Sequence, residues 1–215
     1  PISTKKELKQ FTKFKLRLYR NNPFAALPIY ADEREALLDG RNPALKRYRD
    51  QVLLAKRECK VGGRIVDIMT HGSDRQEGPN YVRFGFVGFI EDFEVAEALV
   101  YAVEEWGRQY GMTAIHGPLG FTDFDPEGML IEGFEEMSTI ACFYNYPYYP
   151  EFFRRMGLNP WPNGPNTRSS FPIRCPKNTC ASPTLSSRNT GCGSSGSAAS
   201  RTSCAKVTAT SCSDC

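Results

Sequence analysis

The chain has 215 residues, 40% of them hydrophobic, with 14 Phe and 10 Tyr, which is enough to bury one core of ordinary size. Its net charge of +3 conceals an asymmetry: residues 1–60 carry fifteen Lys/Arg against seven Asp/Glu, and residues 61–150 carry four against fifteen. No apolar run reaches the roughly eighteen residues of a membrane span, and the basic N-terminus lacks the apolar stretch of a secretory signal; a soluble cytoplasmic protein with no membrane partner is expected.

Residues 4–21 place Leu8, Phe11, Phe14 and Leu18 at three- and four-residue steps. Thr4 and Glu7 have the spacing of a capping box. The pattern predicts an amphipathic helix whose basic face carries Lys5, Lys6, Lys9, Lys13, Lys15, Arg17 and Arg20. A second helix is expected over 32–38, after Pro28, and a short one over 44–50, after Asn42-Pro43. QVLLAKRE (51–58), with Gly62-Gly63 after it, and GRIVDIMTH, which runs on from Gly63 to His71, read as a strand hairpin. A polar loop (72–80) leads to YVRFGFVGFI, a third strand rich in aromatic and β-branched residues. Over 94–110, Val95, Leu99, Ala102, Val103, Trp106 and Tyr110 share one helical face, and Gly111 is placed to end the helix. TAIHGPLGF (113–121) reads as a fourth strand. An acidic loop (122–128), a short apolar piece (129–134), a strand over 138–143 and a short helix over 150–156 follow. Strand, helix and strand over 81–119 imply a parallel crossover. The expected class is α/β, a mixed central sheet with flanking helices.

Composition changes after Leu158. From Arg174 onward the only Ile, Leu, Val, Met or aromatic residues are Leu185 and Val207, too few to offset the entropy of ordering that backbone. Six cysteines crowd there, at 175, 180, 192, 204, 212 and 215. A disulfide framework suits secreted domains, and Cys212 and Cys215 lack the second pair of a zinc site, so no metal is expected. Reading each codon one base earlier turns Cys175-Pro176-Lys177-Asn178-Thr179-Cys180 into a string of apolar and charged residues of globular type. A one-base slip between Leu158 and Asn163 accounts for the change. The expected organisation is a basic helical segment (1–45), an α/β domain (46–160) and a disordered, out-of-frame Ser/Cys-rich tail (161–215).

GRIVDIM, VRFGFVGFIEDFEVAEALVYAVEEWGRQYGM, HGPLGF and above all YNYPYYPEFFRRMGL resemble an uncharacterised bacterial group of N-acetyltransferase-like proteins. That group belongs to the GCN5-related N-acetyltransferase (GNAT) superfamily, and the resemblance covers residues 10–158. It implies a truncated chain, because members run well past 215 residues, so the C-terminal half of the same protein is expected as a partner. It also implies an acyl-CoA-dependent N-acyltransferase acting on an unidentified amine. In this superfamily acetyl-CoA lies between two splayed parallel strands, its diphosphate on the N–H groups of the next helix. By position that loop is Phe89, Ile90, Glu91, Asp92 and Phe93. It has no glycine, and with Glu94 it holds three carboxylates, which suit a helix start and repel a diphosphate. Tyr146, Tyr148 and Tyr149 fall where a phenol acts as general acid toward the leaving thiolate, with Tyr149 preferred. Asn145, His116 and Asp125 are candidate substrate contacts, His116 also a candidate general base, and the Asp123, Asp125 and Glu127 cluster offers a site for a hard cation or an amine acceptor. Asp123, Asp125 and Glu127 alternatively form a solvated turn, Asn145 fixes a loop, and the tyrosines pack.

Two rival readings stand beside the enzyme. One is a non-catalytic binding or structural module that kept the fold and lost the cofactor loop. The other is a nucleic-acid or acidic-partner surface on the first helix, for which mutual attraction of the two halves of the chain is the plainer explanation.

Overall fold

The computed structural model describes residues 1–38, 40–70, 81–122, 124–140 and 142–158. The segment 72–80, His71, Asp123 and the tail expectation for 161–215 lie outside them. Helix α1 (Lys5–Leu18) starts at Thr4, whose hydroxyl accepts from Glu7 N–H at 3.2 Å; the Glu7 carboxylate returns to Ser3 N–H at 3.1 Å. This is the capping reciprocity the sequence anticipates, displaced by one residue on the return. Helix α2 (Tyr30–Ala36) packs beside α1, and a 3₁₀ turn (Pro43–Lys46) leads into the sheet.

Strands β1 (Tyr48–Arg57), β2 (Lys60–Thr70), β3 (Tyr81–Phe89) and β4 (Ala114–His116) lie in that order. The first three are antiparallel; β3 and β4 are parallel, joined by helix α3 (Phe93–Gln109). The parallel crossover is therefore as expected. Helix α4 (Tyr148–Arg155) closes the described chain. One sheet face packs Leu53, Ile65, Phe84 and Phe89 against Val95, Leu99 and Val103 of α3 and Phe153 of α4. The other packs Leu54, Val66 and Ile68 against Phe11 of α1 and Phe121. A bulge, where Phe86 and Val87 stand against Ile65, carries Phe86 in the left-handed region (φ 51) and sends it to the α1 face.

Four expectations change. Residues 48–50 open β1 instead of ending a helix, because Tyr48, Arg49 and Asp50 pair with Thr70, Met69 and Ile68. The hairpin turns at Glu58 and Cys59, both left-handed (φ 49 and 60), as a two-residue primed turn requires. Gly62 and Gly63 sit inside β2 instead: a Cβ on Gly63 would lie 2.8 Å from Leu99 and 2.9 Å from Val95, so the glycine admits α3. The fourth strand shrinks to Ala114–His116, and among the described residues 138–143 form no strand. Ser138 N–H donates to Phe24 O and Ala26 N–H to Ser138 Oγ, both at 2.8 Å; these isolated ties to the α1–α2 connection replace a ladder.

Candidate functional site

The start of α3 is where the resemblance seats a diphosphate. The Asp92 carboxylate already accepts from Glu94 N–H at 3.0 Å and Val95 N–H at 3.4 Å. Arg57 reaches across from β1 to pair with Asp92 at 2.6 Å and with Glu94. The N–H groups and the nearby cation are thus occupied by the chain's own carboxylates, and Glu91 adds a third. A diphosphate does not fit this helix start as it stands.

The end of β3 is closed in a related way. Ile90 N–H turns to β2 and donates to Gly62 O at 2.9 Å, so the N–H and C=O of Phe89 face the opposite edge. Strand β4 does not reach them: its ladder stops at Arg83–His116, followed by one bond from Leu119 N–H to Phe84 O at 2.8 Å. The tyrosines of α4 fill the gap. Phe89 N–H donates to Tyr149 Oη at 2.8 Å, and Phe89 O accepts from Tyr148 Oη at 2.8 Å and Tyr149 Oη at 3.1 Å. The Tyr149 ring stacks on Phe89 at 3.9 Å, and Tyr19 Oη donates to Tyr149 Oη at 3.4 Å. Burial pushes the Tyr149 phenol up to about 12. It raises Tyr148 further still, with Tyr149 and Tyr146 adding to the effect. Phenols this weak are poorly matched to a thiolate whose conjugate acid lies near ~8.5. Tyr146 donates to Leu18 O at 3.3 Å and stacks on Tyr19 at 5.0 Å. The three phenols are brought together, but as a buckle between α4, α1 and the edge of β3.

Asn145 is fully buried and takes the loop-fixing role. Its Oδ1 accepts from Leu130 N–H at 2.8 Å, and its Nδ2 donates to Leu130 O and Tyr146 O, both at 3.1 Å. His116 stands at the other end of β3, its ring edge-on to Tyr81 at 5.2 Å. Burial, then Arg83, lowers its pKa. Arg83, opposite His116, and Phe89 are six residues apart on β3, roughly 20 Å at strand rise, so His116 does not join the tyrosines. The Asp125 carboxylate accepts from Thr122 N–H at 2.8 Å and Thr122 Oγ1 at 3.3 Å, closing the acidic turn. Among the described residues no cluster suits a metal ion.

Asp125 also lines a cavity of about 310 Å³ that the sequence did not reveal. Lys15 of α1, Asp32 and Glu33 of α2, Arg64 of β2 and the bulged Phe86 of β3 form its floor and sides, with Ile29, Phe124, Ile140 and Phe143 as apolar walls. Arg64 is wholly buried, donating to Glu33 Oε1 at 2.6 Å and Phe11 O at 3.0 Å and lying over the Phe11 ring. Glu33 is 8% exposed, and its Oε2 has no hydrogen-bond partner among the described residues. Three carboxylates thus face two cations around a space with greasy walls. Ile29, Phe124 and Ile140 are themselves exposed, Phe124 completely, and form an apolar rim.

A parallel β3–α3–β4 crossover beside an antiparallel hairpin, with the parallel pair splayed past Arg83, is the GNAT fold. A tandem GNAT protein from the clavulanic acid biosynthesis pathway, solved without AcCoA, matches with a TM-score of 0.50 at 14% identity, over 74% of this chain and 42% of that one. In sequence the chain is 29% identical over 155 residues to Protein YghO of Escherichia coli (strain K12), covering 72% of this chain and 40% of that protein. It is 30% identical over 138 residues to the Bacterial ceramide synthase of Caulobacter vibrioides (strain NA1000 / CB15N), covering 63% of this chain and 35% of that one. The chain therefore spans well under half the length of these curated relatives. No family model matches it. Among the described residues no helix is long and apolar enough to cross a membrane.

Proposed function

We propose that residues 1–158 form the acceptor-holding unit of an N-acyltransferase, with an amphiphilic amine seated in the α1–α2 cavity and a CoA thioester as the acyl donor of the whole enzyme. The observation that carries this reading is the buried, half-satisfied carboxylate of Glu33, whose Oε2 lacks a partner among the described residues, in a cavity walled by Ile29, Phe86 and Phe143. A buried acceptor oxygen left unpaired costs about 1–3 kcal/mol, and an ammonium group would satisfy it. Asp32 and Asp125 add charge of the same sign, and the apolar walls take a hydrocarbon chain. The ceramide synthase relative points the same way, since a ceramide is by definition an N-acylated long-chain amino alcohol.

The donor's diphosphate is not assigned to this unit. Asp92 caps α3 and the tyrosines occupy Phe89, so the described residues offer no diphosphate seat at the expected place. The relatives are more than twice as long as the matched stretch, which leaves room for another unit to hold the donor, as a tandem arrangement would. Calorimetry on the full chain tests this reading. A medium-chain amino alcohol should give saturable heat, weakened about twofold to fivefold by Asp32→Asn at the exposed edge of the cavity, one exposed ionic contact being worth about 0.2–1 kcal/mol. Absence of heat with the wild-type chain would reject the acceptor assignment.

A further inference from the structure

Lys15 differs from the other basic residues of α1. Lys5, Lys6, Lys9 and Lys13 are exposed, whereas Lys15 is half-buried and lines the cavity, its Nζ 4.4 Å from the centre of the Phe143 ring. The charged groups around it are Arg64 from β2, Asp32 and Glu33 from α2, and Asp125 from the acidic turn. Glu33 is committed through Oε1 to Arg64 and Asp125 through Oδ2 to Thr122. The charges around it thus include a buried guanidinium, and among the described residues the amine meets the Phe143 ring face and no ion-pair partner. The cavity is large enough for a small acyl group, and its apolar rim favours one.

We propose that Lys15 is an acyl-accepting amine: its neutral Nζ attacks small acyl thioesters that enter the α1–α2 cavity and forms a stable side-chain amide. The nitrogen lone pair adds to the thioester carbonyl and the C–S bond breaks. The thiolate leaves with that electron pair and takes up the proton the nitrogen loses, so the only co-reactant is the acyl thioester. The product removes a positive charge beside Arg64 and fills part of the cavity. Acylation of Lys15 therefore competes with any ligand held there. The inference does not depend on the acceptor reading, because the reacting amine belongs to the chain.

Burial, followed by the Arg64 charge and opposed by Glu33, pushes the Lys15 amine down to about 8. At pH 7 roughly a tenth of such a group is neutral, against roughly one part in 2,500 for a lysine at its reference value. Nucleophilicity falls with basicity; with the slope known for thiolates, a factor of about 12 is given back. A net advantage of roughly tenfold to twentyfold remains before any effect of access.

The test uses the full chain and the acetyl thioester of N-acetylcysteamine, which has no nucleotide and so does not call on a CoA site. Acetylation is followed by peptide mapping at pH 7 and pH 9.5, native and in urea. Lys15 should outpace Lys5, Lys6, Lys9 and Lys13 by about tenfold at pH 7. The gap should close at pH 9.5 and vanish in urea. Equal or slower labelling of Lys15 at pH 7 would overturn the proposal, and so would a preference that survives in urea, because the local sequence and not the cavity would then cause it. Loss of amino-alcohol binding with Lys15 labelling intact would count against the proposed acceptor alone.

Discussion

Replacing Tyr149 by Phe removes one oxygen and almost no volume, which isolates the work of the hydroxyl. That hydroxyl accepts from Phe89 N–H at 2.8 Å, donates to Phe89 O at 3.1 Å and accepts from Tyr19 Oη at 3.4 Å. Phe89 O keeps its bond from Tyr148. Phe89 N–H keeps nothing, because Phe89 and Tyr149 are both fully buried and no water replaces the lost acceptor. An orphaned buried donor costs about 1–3 kcal/mol, and the weak Tyr19 contact adds a fraction of that. The expected loss is about 2–3 kcal/mol, a fall in Tm of roughly 4–12 °C for a domain of this size. Tyr148→Phe should cost less, about 1 kcal/mol, because Tyr149 still serves Phe89 O. Thermal and urea denaturation of both variants measures the difference. If Tyr149→Phe is within about 0.5 kcal/mol of wild type, or less damaging than Tyr148→Phe, the hydroxyl does not fasten the strand edge and the phenols are free for other work.

Further outcomes follow from the buried charges and the close helix contact. Burial holds the Asp67 carboxyl well above 3.8, its unfolded value, and neither of its oxygens has a hydrogen-bond partner among the described residues. The native state therefore keeps a proton the unfolded chain has lost, so the contribution of Asp67 to stability is fully present below pH ~3.8 and is lost as pH rises above it. Asp67→Asn should flatten that slope in urea titrations between pH 4 and pH 8 and gain about 1–3 kcal/mol at pH 7; unchanged slopes would refute the assignment. Arg64→Met alone strands Glu33 and should cost about 3–5 kcal/mol, while Arg64→Met with Glu33→Leu should recover most of it, as a double-mutant cycle would show. Gly63→Ala puts a Cβ under 3 Å from Leu99 and Val95 and should destabilise by about 1–3 kcal/mol in chemical denaturation.

The parts of the fold legible in the sequence are those fixed by local chemistry. Thr4 with Glu7, and Gly111 after a long apolar stripe, announced α1 and α3 because caps and periodicity act within a few residues. The crossover followed, since a strand, helix and strand admit one hand. The hairpin turn was misplaced because glycines usually mark turns; here Gly63 serves the packing of α3, and Glu58-Cys59 adopt left-handed backbone without a glycine. The strand expected over 138–143 does not form because the local sequence cannot supply a partner edge.

The cavity was legible only in fragments. Arg64 and Asp67 interrupt GRIVDIM, and a charge inside a buried strand is a signal, but its partner Glu33 comes from a distant helix. Lys15 belongs by composition to the basic stripe, although it lies four residues after Phe11 and seven after Leu8, on the inward face. The tyrosines were found by resemblance, and their hydroxyls proved to be engaged with a strand edge that no spacing rule predicts.

The most direct test is a paired calorimetric titration of the full chain, with a medium-chain amino alcohol in one cell and acetyl-CoA in the other. Saturable heat from the amine and none from millimolar acetyl-CoA is the predicted result. Saturable binding of acetyl-CoA with no response to the amine would contradict it, and would mean that the carboxylates at the start of α3 and the tyrosines on Phe89 yield to the donor.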